Sequence, residues 1–234
     1  MNRESLPRRA FNQALNELTE DLLELSGEVE RMLHLSVQAL KTRDLEMAES
    51  IIKSDDKIDN RALQLEVDCE ALLARHQPVA SDLRLIITTL RIARDLERIA
   101  DLSVNISRVT RDLGTEPLLK PLIDIPRMAV IAQEMVRDSL TSMLEENPAL
   151  AREVWHRDEE IDALQVQIMR ELLFYMIEDP RTIKRAFPLV FAARHLERVG
   201  DHATNISEAV VYLLTGERMT KQTIREDQSR ESGE

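Results

Sequence analysis

Read at about 100° per residue, the apolar positions of this chain fall into six long helical stretches. They run from Phe11 to Thr42, Asp44 to His76, Val79 to Leu113, Pro126 to Glu145, Pro148 to Ile177, and Pro180 to Leu214. Their ends carry the expected chemistry. Asn147-Pro148 and Asp179-Pro180 each set an N-capping side chain before a proline at the first helical position. Asp44 can cap the second helix, Gln77-Pro78 breaks the chain before the third, and Gly114 is placed to stop that third helix.

The segment GTEPLLKPLIDIP holds one glycine and three prolines at mid-chain, which makes it the natural linker. The two sides of it are alike. Residues 93–107 read ARDLERIADLSVNIS and residues 193–207 read ARHLERVGDHATNIS, identical at nine of fifteen positions. Upstream, SDDKID (54–59) matches RDEEID (157–162). Short connections make consecutive helices antiparallel neighbours, so each half should be a three-helix bundle. The expected fold is therefore all-α, with two pseudo-symmetric bundles. They span residues 1–113 and 126–214, joined by a linker at 114–125 and followed by a polar tail at 215–234.

The candidate chemistry lies in carboxylates spaced four apart: Asp55 with Asp59, Glu97 with Asp101, Asp158 with Asp162, and Glu197 with Asp201. Residues at that spacing share a helix face. One such pair means little, since the chain has eleven against roughly eight expected from its acidic content. These four differ from the rest in three ways. They recur at matching places in both halves. Their heights agree: 21 residues separate the centre of Asp55/Asp59 from Pro78, and 21 more reach the centre of Glu97/Asp101. An antiparallel hairpin then brings both pairs to one level, roughly 30 Å from the turn. The corresponding steps about Pro180 are 20 and 19 residues. Finally, the neighbours on that face are apolar or small: Leu90, Ala93, Ala100 and Val104 around Glu97, and Val190, Ala193, Gly200 and Thr204 around Glu197.

Four carboxylates at one level repel one another and require a positive partner. Metal cations suit such oxygen-rich sites. Arg94, Arg98, Arg194 and Arg198 offer a metal-free alternative, because guanidinium pairs bidentately with carboxylate. The residues leave both open. Asn105 and Asn205, one turn on, could add amide oxygens, and counting back along the first helix of each bundle adds Glu30, His34, Glu134 and Asp138. The remaining histidines (His76, His156, His195, His202) lack matched counterparts and are read as surface or packing residues. Pro188, inside the last helix, is read as a structural bend.

Composition narrows the function. The net charge of −12 makes nucleic acid and anionic lipid poor partners. A single cysteine, Cys69, rules out an internal disulfide and suits a reducing cytoplasm. No apolar run approaches a membrane span, and MNRESLPRRAF lacks the apolar stretch of a secretory signal. There is no P-loop, no nucleophile–base order signal and no glycine-rich phosphate cradle, so an enzyme is not expected. A ferritin-like di-iron site would need two Glu-x-x-His motifs, and only Glu153–His156 qualifies.

QPVASDLRLI, DLERIADLSVNIS, EDPRTI and LERVGDHATNIS closely resemble the repeated signatures of the PhoU family, from about Phe11 to Leu214. That resemblance implies paired three-helix bundles, frequently dimeric. It also implies multinuclear clusters of iron, zinc or related ions. Their holders would be Asp55/Asp59 with Glu97/Asp101, and Asp158/Asp162 with Glu197/Asp201. The implied role is negative regulation of phosphate uptake and of phosphate-starvation signalling, linking a phosphate ABC transporter ATPase to a sensor histidine kinase. The implied location is cytoplasmic, peripheral at the inner membrane through protein partners.

Overall fold

The computed structural model describes residues 6–219; residues 1–5, and 220–234 of the expected polar tail, lie outside it. Among the described residues there are α-helices and one 3-10 turn, with no strand. In chain order they are α1 (Leu6–Thr42), α2 (Leu45–Lys53), α3 (Asp55–His76), α4 (Ala80–Leu113), α5 (Asp124–Leu144), α6 (Pro148–Glu178) and α7 (Ile183–Thr215). The 3-10 turn Pro180–Thr182 leads into α7. Helix α1 packs with α2, α3 and α4 as one bundle, and α5, α6 and α7 form the other. None of the helices is long and apolar enough to cross a membrane, among the described residues.

The caps work as their side chains require. Asp44 accepts the Met47 N–H, Asn147 accepts those of Ala149 and Leu150, and Asp179 accepts that of Arg181. Gln77 closes α3 in the left-handed region (φ 46°), and Pro78 then prevents the helix from continuing.

Three boundaries depart from the periodicity. Helix α1 extends back to Leu6, ahead of Phe11. Helix α5 starts at Asp124, so its first turn takes in the end of the expected linker. The stretch 44–76 is two helices, not one. At Ser54 both the backbone N–H and the hydroxyl return to the Ile51 carbonyl, which ends α2. Helix α3 then restarts with Asp55 and Asp56 in its first turn, where the helix dipole favours carboxylates. No proline or glycine announces this break. Its counterpart, RDEEID, sits inside an unbroken α6.

The centre of the molecule is the α4·α7 pair. Sixteen residues of α4 are buried, against four of α3, which makes α4 an inner helix. Arg84 donates to the Leu213 carbonyl, Thr88 to that of Ala209, and Asp95 faces His202. Four and then seven residues up α4 are thus matched by four and seven down α7, and the two helices run antiparallel in fixed register. Core positions recur in the repeat: Leu96 and Leu196, Ile99 and Val199, Ile106 and Ile206, all inaccessible to solvent. Small residues let the helices approach, and three of their serine hydroxyls are satisfied within their own helix. Ser103 bonds Ile99, Ser107 bonds Ser103, and Ser207 bonds Thr204 through the carbonyls.

Leu96→Ala should cost about 2–5 kcal/mol, because a fully buried leucine leaves a cavity between two long helices. Asn147→Ala should cost about 1 kcal/mol through loss of its cap. Urea unfolding followed by circular dichroism measures both.

Candidate cation sites on the two hairpins

Helices α3 and α4 are antiparallel about Pro78, and the hairpin brings the first-half pairs together as the heights require. Burial raises the Glu97 carboxyl above its usual range, and Asp101, Asp59 and Asp55 raise it further against the opposing Arg98. Burial likewise raises Asp55, reinforced by Asp59 and Asp101, and raises Asp59, reinforced by Asp101. The four carboxylates therefore feel one another across the helix pair. In the second half burial raises Glu197, with Asp201 and Asp162 adding to it and Arg194 and Arg198 opposing.

Two local features fit a cation. Asp55 Oδ1 is fully buried and has no hydrogen-bond partner; a buried unpaired carboxylate oxygen is costly unless something positive meets it. On the other hairpin Gly200 replaces the Ala100 of the repeat. A Cβ there would stand 3.2 Å from Asp158 Oδ1 and 3.1 Å from Ile161 Cδ1, so the missing methyl lets the carboxylate lie against α7. The donors are all oxygens, as hard cations prefer.

Another feature is the arginine alternative, partly realised. Arg98 Nη1 lies 2.9 Å from Asp101 and 3.3 Å from Glu97, and Arg94 lies 3.7 Å from Glu66. On neither hairpin do three His, Cys, Asp or Glu side chains group closely enough to hold an ion, among the described residues. Beside the pairs, between α3 and α4, lies a groove of about 390 Å³ lined by Asp59, Glu66, Arg94, Glu97 and Arg98 together with apolar side chains.

Most of the additional ligand candidates lie elsewhere. Glu30 shares the level of Asp55 but faces another way, into the α1·α5 seam. Burial raises its carboxyl there, with Arg137 opposing and Asp138 adding. Asp138 is held by Arg157 at 2.6 Å and lies 3.6 Å from Arg137. His34 is exposed on α1, and Glu134 is half-buried on α5. Height alone could not fix which side of a helix faces the site. Asn205 bonds Asp95 at 3.4 Å, and Asn105 accepts from Arg108 at 2.7 Å, so both face the α4·α7 groove. Glu153 and His156, the single Glu-x-x-His motif, are exposed on α6.

Two histidines read from sequence as surface or packing residues sit on the inter-bundle seam. His202 Nδ1 lies 2.8 Å from Asp95 Oδ1, with both side chains largely enclosed. His195 occupies the place of Asp95 in the other repeat, and burial, with Arg198 and Arg194, lowers its pKa. The available signal was the departure from the repeat: Asp95 against His195, and Leu102 against His202.

Raised carboxylates give a pH dependence of unusual sign. A folded-state pKa above the unfolded one means stability that is present at low pH and lost as pH rises through the folded value. In chelator, Glu97→Gln should therefore raise the melting temperature at pH 7, and that gain should vanish once the pH falls below the ordinary carboxylate range. Melting curves of both proteins across that window check it.

The comparisons with known proteins bear on this arrangement. The model of the PhoU domain matches twice, at residues 22–110 and 125–210, once on each bundle. A phosphate-specific transport system accessory protein PhoU homolog of Aquifex aeolicus is 41% identical over 91% of this chain and 96% of its own length. One of the same description from Rhizobium meliloti is 39% identical over 88% of each. The crystal structure of PhoU from Pseudomonas aeruginosa superposes with a TM-score of 0.86 at 36% identity, covering 88% of this chain and all of that one. That of the phosphate transport system regulatory protein PhoU from Streptococcus pneumoniae gives 0.83 at 30% identity, over 90% of this chain and 99% of the other. With both halves matched and the helical arrangement shared throughout, the chain belongs to the PhoU family.

Proposed function

We propose that this protein is a regulatory adaptor of phosphate transport that restrains uptake and phosphate-starvation signalling when phosphate is ample. Its relatives are named as accessory proteins of the phosphate-specific transport system, which supports the coarse role. The partners consistent with it are the transporter's ATPase and a phosphate-responsive sensor histidine kinase, met at the cytoplasmic membrane face by a homodimer of this chain. The reading assigns no catalytic step.

The observation that carries the site is the convergence of carboxylates across the α3·α4 hairpin around a buried, unpartnered Asp55 oxygen. In this reading Asp55, Asp59, Glu97 and Asp101 hold one cation cluster, and Asp158, Asp162, Glu197 and Asp201 the other. Bound iron, zinc or a related ion would supply positive charge that cancels the repulsion and pins α3 to α4 and α6 to α7. The protein's own part is to set the carboxylates at one height on each hairpin. A metal-free scaffold is the second reading, favoured by the Arg98 clasp on Glu97 and Asp101.

Elemental analysis of protein purified without chelator separates these two. Bound iron, zinc or a similar ion in the wild type, lost together with thermal stability in Glu97→Ala and Glu197→Ala, is the expected result. Ion-free wild-type protein would leave the arginine scaffold in place. The regulatory role is tested in a deletion strain, where a phosphate-starvation reporter should be switched on despite ample phosphate. A reporter that stays repressed removes the assignment for this copy.

A further inference from the structure

The carboxylates of the two hairpins occupy matching places in the repeat, but the residues around them do not match. Asp55 corresponds to Asp158, Arg98 to Arg198 and Ala100 to Gly200. The first difference is at the arginines. Arg98 Nη1 lies 2.9 Å from Asp101 and 3.3 Å from Glu97, so both α4 carboxylates already have a cation beside them. Arg198 makes no hydrogen bond or ion pair with Glu197 or Asp201, among the described residues. Its charge only opposes, through space and behind that of Arg194, the rise that burial gives Glu197.

The second difference is steric. Asp158 Oδ1 lies only 3.2 Å from where a Cβ of residue 200 would stand, a place that glycine leaves empty. On α4 the same place holds the buried methyl of Ala100, so Asp55 cannot lie as close to its neighbouring helix. The third is in the backbone. Asp158 and Asp162 sit within the unbroken 31-residue α6, whereas Asp55 opens α3 directly after the break at Ser54. A helix N-terminus carries partial positive charge, which eases an ionised Asp55 on its own and opposes a cation beside it. A site on continuous helix is also better preorganised than one next to a break. All three differences act in the same direction.

We propose that the two cation sites are unequal. The α6·α7 site takes its ion first, and the α3·α4 site fills only at a higher free ion concentration, because Arg98 must first leave Glu97 and Asp101. Arg98 is a tethered competitor of the ion. Its guanidinium is half-exposed, and exposed ion pairs are weak, so the clasp delays the ion without excluding it. Asp59, Glu97, Arg94 and Arg98 line one groove between α3 and α4, so ion entry and release of Arg98 change its charge together. One hairpin retains its ion, and the other responds to ion supply. This deepens the cation reading of the same carboxylates and rests on it.

Full-length protein, stripped with chelator and dialysed, is titrated with zinc chloride in competition with a chromogenic chelator. Circular dichroism checks that each variant folds. The wild type should bind zinc in two phases whose affinities differ by about tenfold or more. Glu197→Ala should remove the tighter phase and Glu97→Ala the weaker. Arg98→Gln should tighten the weaker phase by about threefold to tenfold and leave the other unchanged. Arg198→Gln removes a charge but no clasp, so it should tighten its own phase by less. Gly200→Ala should weaken the tighter phase by about tenfold, since the added methyl meets Asp158. A single class of sites, loss of the tighter phase in Glu97→Ala, or equal gains from Arg98→Gln and Arg198→Gln would each overturn the proposal while leaving cation binding in place. A wild type that binds no zinc would overturn it together with the cation reading beneath it.

Discussion

The antiparallel packing of α4 on α7 is the constraint on which everything else in the molecule depends. Each of these helices is the innermost member of its own bundle, and each buries small and branched side chains against the other. Because the register is fixed by Arg84, Thr88 and Asp95 against the far end of α7, the two bundles cannot slide independently. The same helices carry Glu97 and Glu197 on their other faces. The hairpin sites are therefore held at set positions by packing that lies behind them, not by the carboxylates themselves.

Electrostatics pulls against that packing. Burial and mutual repulsion raise Glu97, Asp55 and Asp59 in the first half and Glu197 in the second. A hydrophobic core strong enough to hold like charges together creates a place where positive charge stabilises the fold. Arg98 fills that need in part, and its reach leaves one buried oxygen of Asp55 unmet. Elsewhere the protein balances its acids with its own cations. Glu28 is the clear case: burial works against its ionised form, yet Lys57 and Arg61 hold its carboxyl below the usual range.

The duplication also explains where new properties have arisen. Matched core positions keep the two bundles superposable, while positions on the seam have diverged in pairs. Asp95 with His202 makes an ion-pair geometry on one side. Their counterparts, His195 and Leu102, cannot, and on that side an aromatic groove lined by Phe187, Phe191 and His195 opens. Ser54 splits one helix into two in the first half only, and Pro188 enters α7 in the second half only.

Much of this was legible in the residues. Helical periodicity, proline and asparagine caps, and a repeat of nine identities in fifteen fixed the fold class and the pairing of hairpins, because those signals are local. Equal distances from Pro78 placed the carboxylate pairs at one height, since rise per residue is constant along a helix. What height cannot supply is azimuth. Glu30 and Asp138 share the level of the sites yet turn into the α1·α5 seam, and Asn205 turns toward Asp95. Which face of a helix meets which neighbour depends on the packing of the whole bundle. The register of α4 against α7, the Asp95–His202 contact and the aromatic groove therefore emerged only in three dimensions, where residues more than a hundred positions apart come into contact.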